Sequence, residues 1–128
     1  MARTKVFRHI FRFDGFLGSA KLAIKGILYL FLYHRNMRII FMLGIASLLL
    51  GFYLGLKGIE LVALCITVTL VLIAEIFNTA IEMMMDMFTE KYHTLVKLIK
   101  DISAAVVVLA SLNAVAVGYI LFVRKLFK

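Results

Sequence analysis

Apolar positions run through the chain in long blocks separated by short clusters of charge, and the blocks define its elements. Residues 39–56 form an uncharged run of 18, enough for an α-helix to cross a hydrocarbon core about 30 Å thick. "KGIE" at 57–60 reads as a short turn. A second apolar run begins at residue 61 and passes without a helix breaker into a polar stretch, so its helix is expected to continue to residue 87. "FTEKYHTLVKLIKD" (88–101) reads as a polar connection and 102–122 as a third span. Residues 1–33 differ. Their lysines and arginines recur at helical spacing among phenylalanine and leucine, as in "RHIFRF" and "AKLAIKGILYLFLY". That is the pattern of an amphipathic helix lying in the membrane interface. The expected fold is an all-α membrane protein forming a single domain over 1–128, with one N-terminal amphipathic interfacial helix and three transmembrane helices.

Composition strengthens this picture. Hydrophobic residues make up 64% of the chain and mean hydropathy is +1.04, whereas soluble domains are about half apolar. The absence of proline suits long, uninterrupted helices. The net charge of +8 does not point to nucleic acid, because the basic residues flank the apolar blocks instead of forming one face. Eight precede residue 39, one lies in the first loop, three lie in the second and three close the chain. This bias places the N-terminus and the 88–101 connection on the cytoplasmic side. The opening "MARTKVFRHIFRFDGF" has neither an apolar region nor a cleavage site, so no signal peptide is expected. Cys65, the single cysteine, lies in an apolar run and reads as a small buried hydrophobe, which excludes a disulfide framework or thiolate metal site.

The chemistry concentrates in residues 74–86, "AEIFNTAIEMMMD". At about 100° per residue, Glu75, Asn78, Glu82 and Asp86 fall within a stripe roughly 80° wide, with Thr79 beside them. Ile76, Phe77, Ile81 and Met84 take the other side. Acids in a membrane span face a bundle interior or a wet cavity and mark a functional path. One buried carboxylate of such a stripe can serve as general base toward a hydroxyl. Another, nearer water, can hold Mg²⁺ together with substrate phosphates, and Asn78 can orient either. Lys100 and Asp101 open the third span at the same level. The lysine can meet a phosphate, while the aspartate is equally an ordinary helix cap. The set suits phosphoryl transfer, in which a protein mainly positions reactants and neutralises charge. Two bland readings stand beside it: a stripe that seals a helix interface by hydrogen bonds, and a proton or cation path in a small conducting oligomer.

"EIFNTAIEMMMD", followed by "YH" and then by "KD" seven residues after the histidine, resembles the small bacterial integral-membrane diacylglycerol kinase and undecaprenol kinase family. "AIKGILY" and "RNMRI" are similar to its Gram-positive undecaprenol kinase branch, and the resemblance covers about residues 18–122. It implies a homotrimeric helical bundle with shared sites in the bacterial inner membrane. The implied reaction moves the ATP γ-phosphoryl group to a membrane lipid alcohol, undecaprenol or diacylglycerol, with Mg²⁺ as cofactor and no nucleic-acid partner. Carried over by position, Glu75 is the base for the lipid hydroxyl and Asn78 supports it. Glu82 binds the metal and the ATP phosphates. Asp86, Tyr92, His93, Lys100 and Asp101 surround the nucleotide. The family has no phosphate-binding P-loop, and none is present here.

Two departures qualify the resemblance. Where the family has a glutamate before "RN" as a second metal ligand, this chain has His34, and the histidine later in that motif is Ile40. Imidazole binds divalent metals but suits Mg²⁺ less well than carboxylate does. A basic residue that contacts nucleotide in some members falls on Gly15, with Arg12 nearby. A catalytically inactive relative, serving as a structural or regulatory membrane subunit, is the alternative. Among other features, Met83, Met84, Met85 and Met87 read as adaptable packing and His9 as a headgroup contact. Gly51 and Gly55 form a GxxxG, with Gly44 two turns earlier, and Asn113 needs a partner within its span.

Overall fold

The computed structural model describes residues 13–88 and 93–127. Helix α1 is Phe13–Tyr33, α2 is Arg35–Tyr53, α3 is Ile59–Met85 and α4 is His93–Gly118. A π-helical turn, Tyr119–Val123, and a short α5, Arg124–Leu126, complete the order, and no strand occurs among the described residues. Among the described residues, four stretches are long and apolar enough to cross a membrane: Gly15–Tyr33, Arg35–Tyr53, Ile59–Met85 and Thr94–Leu126. The chain divides into two units, residues 1–38 and 39–128. His9 and Arg12 lie outside the described residues.

The first unit holds α1 and the opening of α2. Apolar side chains of α1 such as Leu22, Ile24, Leu28 and Leu32 are exposed, while Lys21 and Lys25 sit one turn apart on one face. The rings of Tyr29 and Tyr33 are 4.9 Å apart, and that of His34 is 6.1 Å from Tyr29. His34 is the junction residue, and helical hydrogen bonding continues through it. Its N–H donates to the Leu30 carbonyl at 2.9 Å, and its own carbonyl accepts from Arg38 at 3.3 Å.

The second unit is built on hairpins. Helix α2 ends where Gly55 turns to φ +78°, a conformation that carries a steric penalty for residues with a Cβ. The Leu56 N–H then reaches back to the Gly51 carbonyl at 3.0 Å, and the Gly55 N–H to that of Phe52 at 3.1 Å. This is the paired bonding of a Schellman stop, capped by Leu56, which is 2% exposed. Gly58, at φ +60° and ψ −127°, then launches α3. The helix therefore stops at Tyr53, short of residue 56. Gly55 serves the turn, with nothing within 4 Å of an added Cβ, so of the three glycines expected to allow close helix approach it takes no part within this chain. Gly44 and Gly51 do provide a close approach, of α2 to α3. A Cβ at Gly44 would lie 2.8 Å from Val68 Cγ1, and one at Gly51 would lie 2.7 Å from Leu64 Cδ2.

Helices α3 and α4 pack against one another as the principal helix pair. The helix of the last span starts at His93, well before residue 102. The lysines of residues 93–101 lower the local hydropathy and give that segment the pattern of a connection. It is nevertheless helical, with apolar residues between the charges and a Lys97–Asp101 pair one turn apart at 2.7 Å. At the opposite end, Lys125 Nζ approaches Glu60 Oε2 in the first turn of α3 at 3.4 Å. The buried residues of α3 are Leu64, Thr67, Ala74, Glu75, Thr79 and Met85, which occupy a sector of about 140°. Hydroxyls on the apolar helices bond back to carbonyls one turn earlier: Ser47 to Leu43 at 2.8 Å and Thr67 to Ala63 at 2.7 Å. Such bonds satisfy a hydroxyl where no water is at hand. Cys65 is exposed on the chain surface, against the expectation of burial. Its helical position lies outside the buried sector, which an apolar run on every face conceals in the sequence.

Candidate functional site

The polar stripe of α3 lies on the helix's buried side, and its four groups grade from interior to surface. Glu75 is 3% exposed and Thr79, beside it, 4%. The Thr79 hydroxyl donates to the Glu75 carbonyl at 2.9 Å. Asn78 is half-buried, whereas Glu82 and Asp86 are exposed. At 1.5 Å per residue the stripe runs about 16 Å along the axis. A carboxylate held this deep is costly unless its surroundings use it.

Contacts with Ser103 and Lys100 join the stripe to α4. Ser103 Oγ donates to Asn78 Oδ1 at 2.8 Å, and the Asn78 amide in turn donates to Glu82 Oε1 at 3.4 Å. Further toward the end of α3, Lys100 Nζ lies 2.5 Å from Asp86 Oδ1. Asp101 points instead to Lys97 and sits well inside α4, so it is not a helix cap. Thus the structure brings together Glu75, Asn78, Glu82, Asp86 and Lys100 along one seam. His93 is the first residue of α4. Tyr92 lies outside the described residues, and His34 belongs to the first unit.

Nothing in the pattern of the sequence singles out Ser103. It is 5% exposed and bonded across the seam. The available signal is its place three residues after Lys100, on the same helical face. Beneath it, an open groove of about 540 Å³ runs between α3 and α4. Leu70, Ile73, Phe77, Val106 and Leu109 supply its apolar walls, and Asn78, Ser103 and Asn113 its polar points. Asn113, expected to need a partner, faces this groove.

The donor chemistry fits a hard divalent cation. Glu82 and Asp86 are exposed carboxylates one turn apart, and Mg²⁺ is commonly held by one or two carboxylates completed by water and phosphate. Among the described residues no three His, Cys, Asp or Glu side chains converge as a metal cage. Any cation here therefore draws further ligands from water or a phosphorylated substrate, as Mg²⁺ does in phosphoryl transfer.

A model of the family described as prokaryotic diacylglycerol kinase matches residues 21–122. The chain is similar to a diacylglycerol kinase of Synechocystis sp. (strain ATCC 27184 / PCC 6803 / Kazusa), with 39% identity over 103 residues, covering 80% of this chain and 59% of that protein. It is also similar to the undecaprenol kinase of Bacillus subtilis (strain 168), with 33% identity over 81 residues, covering 63% of this chain and 66% of that protein. The matched region thus spans 59% of the length of the first of these relatives and 66% of the second.

Proposed function

The chain belongs to the prokaryotic diacylglycerol kinase family, and from that premise we propose that it transfers the γ-phosphoryl group of ATP to the hydroxyl of a membrane lipid alcohol, undecaprenol or diacylglycerol. The observation that carries the reading is the graded stripe: Glu75 at 3% exposure, Asn78 half-buried, then exposed Glu82 and the Asp86–Lys100 pair. A buried base beside an exposed phosphate-handling end is what a lipid acceptor and a water-soluble donor require of one site.

In this reading the Glu75 carboxylate takes the proton of the lipid hydroxyl. The freed oxygen bonds to the γ-phosphorus as the bond from phosphorus to the β–γ bridging oxygen breaks, and ADP leaves with that oxygen. Asn78 holds the carboxylates in register through its amide. Glu82 and Asp86 would hold Mg²⁺, which neutralises phosphate charge when bound. Lys100 offers its ammonium to phosphate oxygens, releasing Asp86 to the cation, and Tyr92, His93 and Asp101 border the nucleotide. The apolar groove between α3 and α4 offers a wall for the hydrocarbon of the acceptor. On this reading the protein works in the bacterial cytoplasmic membrane, N-terminus inside, as a homotrimer, with the N-terminal amphipathic helix at the interface. The flanking basic residues and the family membership support it.

Lipid-dependent ADP release by purified protein, abolished in Glu75→Gln, tests the reading. ADP release indifferent to lipid, or to that substitution, contradicts it. A second reading, an inactive relative with a structural or regulatory role, is favoured by one observation: His34 at the position where the family resemblance places a metal-binding glutamate.

A further inference from the structure

Ser103 has no part in the proposed reaction, yet its surroundings give it one. Its Oγ lies 2.8 Å from Asn78 Oδ1 and 2.9 Å from the Lys100 carbonyl oxygen. A serine hydroxyl has a single proton to donate, and two acceptors are within reach. If the proton went to Lys100, Oγ would show only lone pairs to Asn78. The asparagine would then have to turn its NH₂ toward serine and its Oδ1 toward the Glu82 carboxylate, setting two acceptors against each other. Given to Asn78 Oδ1, the same proton leaves the NH₂ on the Glu82 side, where Nδ2 lies 3.4 Å from Oε1. The Lys100 carbonyl loses nothing essential, since an interior helix carbonyl already accepts an N–H from the next turn.

We infer that Ser103 is the positioning residue for Asn78: its hydroxyl fixes which end of the side-chain amide faces the carboxylate stripe. The inference rests on the kinase reading, in which Asn78 works on the carboxylates at the reacting centre. Ser103 acts through Asn78, and its own burial, at 5% exposure, keeps water from competing for the bond. Alanine at 103 removes the hydroxyl and frees the amide to flip, whereas threonine keeps it.

The test compares wild type with Ser103→Ala and Ser103→Thr by kinetics in lipid–detergent micelles and by NMR of the full chain. The chain has three asparagines, Asn36, Asn78 and Asn113, and no glutamine, so side-chain amide spectra are sparse and the Asn78 pair is assigned by its loss in Asn78→Asp. The expected result is a fall in kcat of about tenfold in Ser103→Ala, with the KM for ATP and for lipid within about twofold and activity recovered in Ser103→Thr. The Asn78 amide pair should move in the alanine variant and return in the threonine variant. Unchanged kcat and unchanged resonances in Ser103→Ala overturn the inference. So does a joint loss of thermal stability and activity that threonine fails to rescue, which would mark a packing role. If wild type shows no turnover with any lipid, the kinase reading fails and the amide resonances still decide: an Asn78 pair indifferent to Ser103→Ala overturns the positioning role, and one that shifts and is rescued by threonine upholds it.

Discussion

Lys100 Nζ sits 2.5 Å from Asp86 Oδ1, so the residue that closes α3 is paired with an early turn of α4. An aspartate at a helix C-terminus meets the negative end of the helix dipole, and its placement there is no aid to α3. The ammonium of Lys100 offsets that cost. The same two groups are suited to be parted by a phosphate and its cation, each taking one of them.

Separating the pair tests this directly. Both side chains are substantially exposed, 37% for Lys100 and 65% for Asp86, and exposed, solvent-screened ion pairs add little to stability. Lys100→Met and Asp86→Asn should therefore leave the unfolding midpoint nearly unchanged. They should lower kcat/KM for ATP by about tenfold or more, as expected for a lost charge-assisted contact. Unfolding titrations and steady-state kinetics on the same preparations supply the comparison. A large stability loss with proportionate activity would assign the pair to structure alone.

Glu75→Gln should separate chemistry from folding in the opposite sense. The amide keeps the shape of the buried side chain and cannot ionise, so the unfolding midpoint should hold or rise. Turnover should fall about 10²–10⁴-fold, the range that general-base catalysis contributes. A variant that unfolds while wild-type activity per folded molecule persists would remove Glu75 from the mechanism.

Much of the geometry of the candidate site is legible in the sequence, for a physical reason. Polar groups in an apolar helix are tolerated where they share a side, and the spacing of Glu75, Asn78, Glu82 and Asp86 alone puts them on one face. The gradation from buried Glu75 to exposed Asp86 follows from their order along that helix. Other features are hidden. Ser103 is one small hydroxyl among many in the spans, and only its partner on another helix, Asn78, sets it apart. The start of α4 at His93 is masked because Lys97 and Lys100 lower hydropathy without disfavouring a helix. Gly55 looks like a helix-contact glycine because GxxxG and a Schellman stop use the same residue, and only its φ of +78° tells them apart. The Glu60–Lys125 pair depends on the antiparallel return of α4, which no local pattern records.

The metal-ligand position that the family resemblance assigns to His34 carries a third prediction. Imidazole favours softer divalent ions than Mg²⁺, so wild type should be supported better by Mn²⁺ or Zn²⁺, relative to Mg²⁺, than His34→Glu is. His34→Glu should raise turnover in Mg²⁺. Activity measured across the three metals in both proteins checks this, and identical metal profiles would exclude His34 from the cation site.

The two glycines of α2 should not respond equally to substitution. A methyl at Gly44 would meet Val68 Cγ1 at 2.8 Å, on a side chain with little rotameric freedom. At Gly51 the nearest atom is Leu64 Cδ2 at 2.7 Å, the end of a longer and more adaptable chain. Overpacking costs about 1–3 kcal/mol, against a helix-propensity gain of roughly 1 kcal/mol for replacing glycine by alanine. Gly44→Ala should thus be the more destabilising of the two in detergent unfolding. The reverse order would mean that α2 and α3 do not approach through Gly44.

The most direct test of the central claim follows the phosphorus atom. Purified protein in mixed micelles is given ATP labelled in the γ-phosphoryl group, with undecaprenol or diacylglycerol supplied separately, and the lipid extract is analysed. The account predicts label in a phosphorylated lipid with at least one acceptor and none with Glu75→Gln. Label that never enters the lipid fraction, with either acceptor and with any of the three metals, would contradict it.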